Sequence, residues 1–144
     1  GLPGSLQAFG SKVNGFGSSF SDVDLVFLTG DGEDAIQPLA ALRSLKDFLQ
    51  STEKVYNLTA IFQPRAPLLK LTDPCGIEVD LVVNNHLGLR NTAMLKAYHD
   101  CDVQMLGGGS SRIGATVRGV KEWARRCGLV GTIDGHINSY AWTL

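Results

Sequence analysis

From residue 23 to residue 28 the chain reads Val-Asp-Leu-Val-Phe-Leu, with another aspartate, Asp22, immediately before it. Successive residues of a strand face opposite sides. The run therefore predicts a strand near 23–28 that sends Val23, Leu25 and Phe27 into a core and projects Asp22 and Asp24 together from the other face. The segment from Gly76 to Val83 repeats this alternation, with Ile77, Val79, Leu81 and Val83 as the buried face and Glu78 and Asp80 opposite. Further strand-like runs cover residues 6–11, 55–62 and 67–72, broken by Pro64, Pro67 and the Asp73-Pro74 turn signal. A Gly/Ser-rich turn follows the first run, and a polar loop is expected over 30–34.

Helical spacing appears where Ile36, Leu39, Leu42, Leu45, Phe48 and Leu49 recur, with Arg43, Lys46 and Asp47 on the other side. From Arg90 onward the pattern turns helical throughout: 90–100, about 113–127, and a start at Ser139, with glycine-bearing breaks between. Trp123 and Trp142 fall at core spacing and read as packing. The pattern predicts a mixed sheet with flanking helices over residues 1–85, then the opening helices of an α-helical domain over 86–144.

Composition changes this picture little. The 144 residues are 44% hydrophobic and 19% charged, ordinary for a globular domain, and the net charge of −1 argues against a strongly basic nucleic-acid binder. Any affinity for RNA must then come from local patches. No apolar run approaches the roughly 20 residues that span a bilayer, so a soluble, intracellular protein is expected. Because the chain opens on Gly1 and stops inside Ala141-Trp142-Thr143-Leu144, it is expected to be a fragment. Cys75, Cys101 and Cys127 lack metal-site spacing and read as free thiols of a reducing compartment. His86, His99 and His136 are scattered and are not read as ligands.

The aspartates carry the candidate chemistry. Adjacent carboxylates repel one another unless a cation lies between them, and hard divalent ions are bound by such oxygens. Asp22 and Asp24 with Asp80 from a neighbouring strand suit phosphoryl or nucleotidyl transfer. Asp-x-Asp alone also occurs at solvated strand ends. Gly10-Ser11 upstream adds a turn where backbone can approach phosphate closely and a hydroxyl is at hand. Lys121 and Arg125, four residues apart, share a helix face that could hold phosphate or simply be solvated.

These residues also resemble a known family. Phe9 to Leu25, with Gly10-Ser11 and Asp22-Val23-Asp24, is similar to the nucleotide-binding signature of the DNA polymerase beta-like nucleotidyltransferases, and more narrowly to noncanonical poly(A) polymerases and terminal uridylyltransferases. Matching blocks follow in the family's order: Ala66 to Leu71, Gly76 to Asn85, Arg90 to Thr92, Val120 to Arg125 and Asn138 to Leu144. The resemblance implies an α/β nucleotidyltransferase domain followed by the first helices of a helical central domain. It implies template-independent addition of UMP or AMP, from UTP or ATP, to the 3'-hydroxyl of single-stranded RNA with two Mg2+ ions, or Mn2+ in their place.

By the same resemblance Asp22 and Asp24 hold both ions, and Asp80 holds the ion that activates the hydroxyl and serves as base. Gly10 and Ser11 hold the β- and γ-phosphates, with Lys121 and Arg125 on the opposite side. Asn91 and Thr92 contact the ribose, although a helix N-cap is their plainer reading. Ser139 touches phosphate or base and Tyr140 stacks on the base, which any base allows. Glu78 supports Asp80. The chain departs from the family at Arg125, where lysine is commoner, at Gln104, where arginine is, and at Gly107 to Ser111, which reads as a flexible insertion or loop replacement. A small-molecule nucleotidyltransferase fits less well with Arg90-Asn91-Thr92 and Ser139-Tyr140. A catalytically silent nucleotide-binding or RNA-scaffold relative is the reading from another class, and the three intact acids argue against it.

Overall fold

The computed structural model describes residues 2–18, 21–30, 36–63, 67–130 and 137–144. Ser19, Phe20, residues 31–34 of the polar loop, Pro64, Ala66 and His136 lie outside the described residues. Along the chain come β1 (Ser5–Phe9), α1 (Ser11–Asn14), β2 (Val23–Leu28), α2 (Pro38–Thr52), β3 (Tyr56–Ile61), β4 (Leu68–Thr72), β5 (Glu78–Val83), α3 (His86–Met105) and α4 (Arg112–Arg126), then a 3-10 turn, Ala141–Thr143. The strands form one mixed sheet in the order β1-β2-β5-β4-β3. Only β2 and β5 pair in parallel within it. Parallel neighbours need a crossover connection, and here α2 with the β3–β4 pair supplies it.

Helix α2 covers one sheet face. Its Ala41 and Leu42 are fully buried against Leu69, Leu81 and Val83, with Leu25 and Phe27 packed beside them. Each fully buried leucine contributes about 1.5–3 kcal/mol. Two residues assigned to the buried stripe of α2 are not in it: Leu39 is 40% and Phe48 63% exposed. At about 100° per residue they fall on opposite flanks of the line through Leu42, Leu45 and Leu49.

Ile77 is also exposed rather than core. It closes the turn between β4 and β5, where the Asp73 carboxylate accepts the Cys75 and Ile77 N–H groups, each at 2.8 Å, and this carries Ile77 past the edge of the core. Helices α1 and α3 pack at the β1–β2 end of the sheet. The Gly/Ser-rich turn expected after β1 is preceded by the short helix α1, which takes up Ser11–Asn14 and ends at Gly15. Helix α3 begins before Arg90, because the Asn85 side chain accepts the Gly88 N–H at 2.9 Å and caps it at His86. Asn91 and Thr92 therefore sit inside the helix, and the N-cap reading of that pair does not hold.

The glycine-rich stretch 107–111 forms a hydrogen-bonded corner between α3 and α4. Gly107 and Gly108 take φ of 70° and 85°, and their N–H groups bond Gln104 O at 3.0 Å and Val103 O at 2.9 Å, which closes α3 as a Schellman motif. Asp102 then accepts the Ser111 hydroxyl at 2.7 Å and the Ile113 N–H at 3.1 Å, while Ser111 caps α4 through Gly114 N–H. The Ser111 hydroxyl, then the backbone N–H groups, hold Asp102 below the usual carboxylate range against its burial. Among the described residues no helix is long and apolar enough to cross a membrane. All three cysteines are exposed free thiols.

Candidate active site

Sheet register brings the acids together. Asp24 of β2 stands directly opposite Asp80 of β5, and Asp80 directly opposite Lys70 of β4. Directly opposed residues point to one face, so Asp24, Asp80 and Lys70 form a row on the side away from α2. Asp22 lies just before β2 and lines the same cleft as Asp24. Glu78 begins β5, exposed, and its charge reaches Lys70.

The row is electrostatically strained at one end and neutralised at the other. Burial, then the charges of Asp80 and Asp22, push the Asp24 carboxyl from an ordinary 3.8 up to about 6, with Lys70 and Lys121 pulling it partly back. The Lys70 ammonium instead donates to both Asp80 oxygens, at 2.7 and 2.8 Å. Partial burial pulls Lys70 down, but the Asp80 hydrogen bond and charge outweigh it and hold the lysine above its usual value. Among the described residues no three acidic, histidine or cysteine side chains form a ready-made metal cage. The donor chemistry nonetheless suits a hard divalent cation: three clustered carboxylates, one of them raised by burial and by its neighbours' charge so that added positive charge would be welcome there.

The loop after β1 is fitted against this row. Gly10 has φ 75° and ψ −158°, a conformation that excludes most other residues, and a Cβ there would strike Asp24 Oδ2. Its N–H donates to Thr92 Oγ1 at 2.8 Å, and the same hydroxyl donates to Gly88 O at 2.8 Å. Thr92 thus ties the loop to α3. Behind the loop, Arg118 of α4 donates to Gly15 O at 3.1 Å, and the buried Phe16 meets His99 edge-on at 5.7 Å.

Two adjoining lobes open along the loop. One, about 520 Å³, is lined by Gly10, Ser11, Asp24, Asn91, Thr92, Lys121, Ser139 and Tyr140 among others. The other, about 760 Å³, adds Asp22, Arg118, Arg125 and Arg126. Ser11, Asp24, Lys121 and Ser139 border both. The site residues expected from the sequence line one lobe or the other except Asp80, which stands beside Asp24 in the row, and Glu78 two residues before it.

Lys121 faces Asp24 and is pulled down by burial, with the aspartate's charge offsetting part of the loss. Arg125 sits at the rim and is engaged by Glu122, with bonds from 2.8 to 3.0 Å. The helix expected from Ser139 is only the 3-10 turn, where Asn138 Oδ1 accepts Ala141 N–H at 2.7 Å. Trp142 packs edge-to-face on Trp123, centroids 6.2 Å apart, and so fixes Tyr140 beside the cleft, though Trp123 stays 54% exposed. Lys70, Arg118, Asn85 and Asn138 carried no assignment from the sequence. Only Lys70 left a signal, a lone charge inside the apolar run Pro67 to Leu71.

The family described as poly(A) RNA polymerase, mitochondrial-like, central palm domain matches residues 3–100. Poly(A) RNA polymerase GLD2 of Danio rerio is 31% identical over 141 residues, which is 94% of this chain and 26% of that protein. Terminal uridylyltransferase 7 of Homo sapiens is 31% identical over 148 residues, 99% of this chain and 9% of its own length. The chain thus spans about a quarter or less of these relatives. Among solved structures, the Cid1 poly(U) polymerase with Mg and 3'-dATP bound superposes with a TM-score of 0.75 at 27% identity, over 98% of this chain and 41% of that one. The complex of mtPAP with UTP gives 0.79 at 25% identity, over 97% and 32%. The mixed five-stranded sheet with flanking helices is the nucleotidyltransferase palm fold of those proteins, and the chain belongs to the mitochondrial-like poly(A) RNA polymerase family through its central palm domain.

Proposed function

We propose that the protein is a template-independent RNA 3'-terminal nucleotidyltransferase that adds UMP or AMP, from UTP or ATP, to the 3'-hydroxyl of single-stranded RNA. The observation that carries this reading is the register pairing of Asp24 with Asp80 beside the Gly10-Ser11 loop, at the mouth of a cleft with Lys121 on its far wall. Relatives named as poly(A) polymerases and terminal uridylyltransferases support it, as do neighbours solved with UTP, GTP and ATPγS. Nucleotidyltransferases of this kind generally use divalent metal ions.

In this reading Asp22, Asp24 and Asp80 hold two Mg2+ ions, or Mn2+ in their place, whose charge would stabilise the attacking and leaving oxygens of an in-line displacement. Gly10 lets the backbone approach the β- and γ-phosphates closely and Ser11 offers them its hydroxyl and N–H, and Lys121 with Arg125 meets them from α4. Asn91 contacts the ribose, Ser139 the phosphates or base, and Tyr140 stacks on the base. Asp80 accepts the proton of the acceptor hydroxyl as its oxygen bonds to the α-phosphorus and pyrophosphate departs. Residues 1–85 form the catalytic domain, and 86–144 open a helical domain.

The test is incubation of the full-length protein with labelled single-stranded RNA, Mg2+ and each nucleoside triphosphate separately, beside Asp80→Ala. Extension with one or two of the triphosphates, lost in the variant, is expected. No extension with any of them, while RNA and nucleotide both bind, would overturn the enzymatic reading in favour of a silent scaffold.

A further inference from the structure

The row on the open sheet face contains one residue that the proposed chemistry does not use. Lys70 stands on the far side of Asp80 from Asp24, and its ammonium grips both oxygens of the carboxylate. Asp80 therefore lies between an aspartate on one neighbouring strand and a lysine on the other. Strands are spaced about 4.8 Å apart on either side, so rotation of the Asp80 side chain turns its oxygens toward one neighbour or the other. In the arrangement seen here they face Lys70.

Three carboxylates so close together need positive charge whether or not a metal is present. Lys121 serves Asp24, not Asp80. Lys70 is the side chain that bonds Asp80, and at 48% exposure it sits on a flexible stem with open solvent to move into. A divalent cation shared by Asp24 and Asp80 needs an Asp80 oxygen that Lys70 now holds.

We propose that Lys70 is a positioning residue, the resident counter-ion of Asp80, which holds the third carboxylate in the metal-free protein and competes with the divalent cation for it. This rests on the reading of Asp80 as a metal ligand. Were Lys70 only one half of a sheet-stabilising ion pair, its removal would leave metal affinity alone or weaken it. A competing counter-ion makes the opposite prediction, because its removal deepens the negative potential at the site.

The experiment is titration of the full-length protein with Mn2+ in the absence of nucleotide, followed by the electron paramagnetic resonance signal of free Mn2+. Wild type is compared with Lys70→Met, Lys70→Gln, Lys70→Arg and Asp80→Asn, each checked for folding by circular dichroism. Lys70→Met and Lys70→Gln are expected to bind Mn2+ at least about fivefold more tightly than wild type, given the repulsion of unit charges a few ångströms apart. Lys70→Arg, which keeps the charge, is expected to stay within about twofold. The two neutral variants should also melt below wild type without metal and close that gap at saturating Mn2+. Equal or weaker Mn2+ binding by both, with Asp80→Asn weakened, overturns the counter-ion role and leaves Asp80 a ligand. Wild-type binding by Asp80→Asn removes the ligand reading itself, and the counter-ion role with it.

Discussion

The hydroxyl of Thr92 accepts the Gly10 N–H at 2.8 Å and itself donates to Gly88 O at 2.8 Å, so a residue of α3 holds the loop that faces Asp24. Thr92 is buried, and its hydroxyl works on the protein's own backbone. Thr92→Val is expected to cost about 1–3 kcal/mol by leaving the Gly10 N–H without its partner, and to raise the KM for nucleotide. Thr92→Ser keeps the hydroxyl and should restore both. Thermal melts and steady-state kinetics on the pair check this; equal behaviour of the two variants would refute it.

Gly10→Ala tests the fit between loop and acid. The new methyl group meets Asp24 Oδ2, and the positive φ adds strain. Activity is expected to fall by about 100-fold or more, since small displacements at reacting centres have effects of that size. The midpoint of thermal unfolding should move far less in proportion, as the collision is local to the cleft.

Asp24 makes metal-free stability depend on pH in a defined direction. Its folded pKa of about 6 lies above the ordinary 3.8, raised by burial and then by Asp80 and Asp22. Between those values the folded state keeps a proton that the unfolded chain releases. The stability this group supplies is thus present below the lower value and is lost as pH rises through the upper one. Without divalent ions, Asp24→Asn should melt above wild type at pH 7 and converge with it near pH 4. A variant that melts below wild type at pH 7 would contradict the assignment.

The two basic residues of α4 should separate in kinetics. Lys121 is half-buried, borders both lobes and faces Asp24, whereas Arg125 is 70% exposed and bound to Glu122. Lys121→Ala is expected to lower kcat/KM by about 100-fold, the scale of losing one preorganised donor. Arg125→Ala should cost less than about tenfold, because an exposed pair contributes little. Assays of nucleotide incorporation with both variants decide it.

Much of this site was legible in the sequence because strand alternation is a strong local signal. The predicted 23–28 strand coincides with β2, and the carboxylates do leave the face that Leu25 and Phe27 bury. Ile77 and the start of α3 escaped for a common reason: side-chain bonds from Asp73 and Asn85 set those boundaries, and hydrophobic periodicity does not register them. Helix α3 buries only Thr92, Leu95 and Asp102, too few to mark a clean stripe. Lys70 was hidden because its meaning depends on register, and register between strands is not written in either strand alone. The Thr92 bond joins residues far apart in the chain, beyond the reach of any local pattern.

The parallel pairing of β2 with β5 also orders events in folding. Lys70 and Asp80 belong to adjoining antiparallel strands joined by a short turn, a local structure that forms quickly. Asp24 reaches Asp80 only after the chain has laid down α2 and two further strands, a non-local closure that is slow. Asp80 is thus expected to meet a cation before it meets another acid. The nascent protein need not bring like charges together unshielded, and the row of acids is completed only when β2 joins β5.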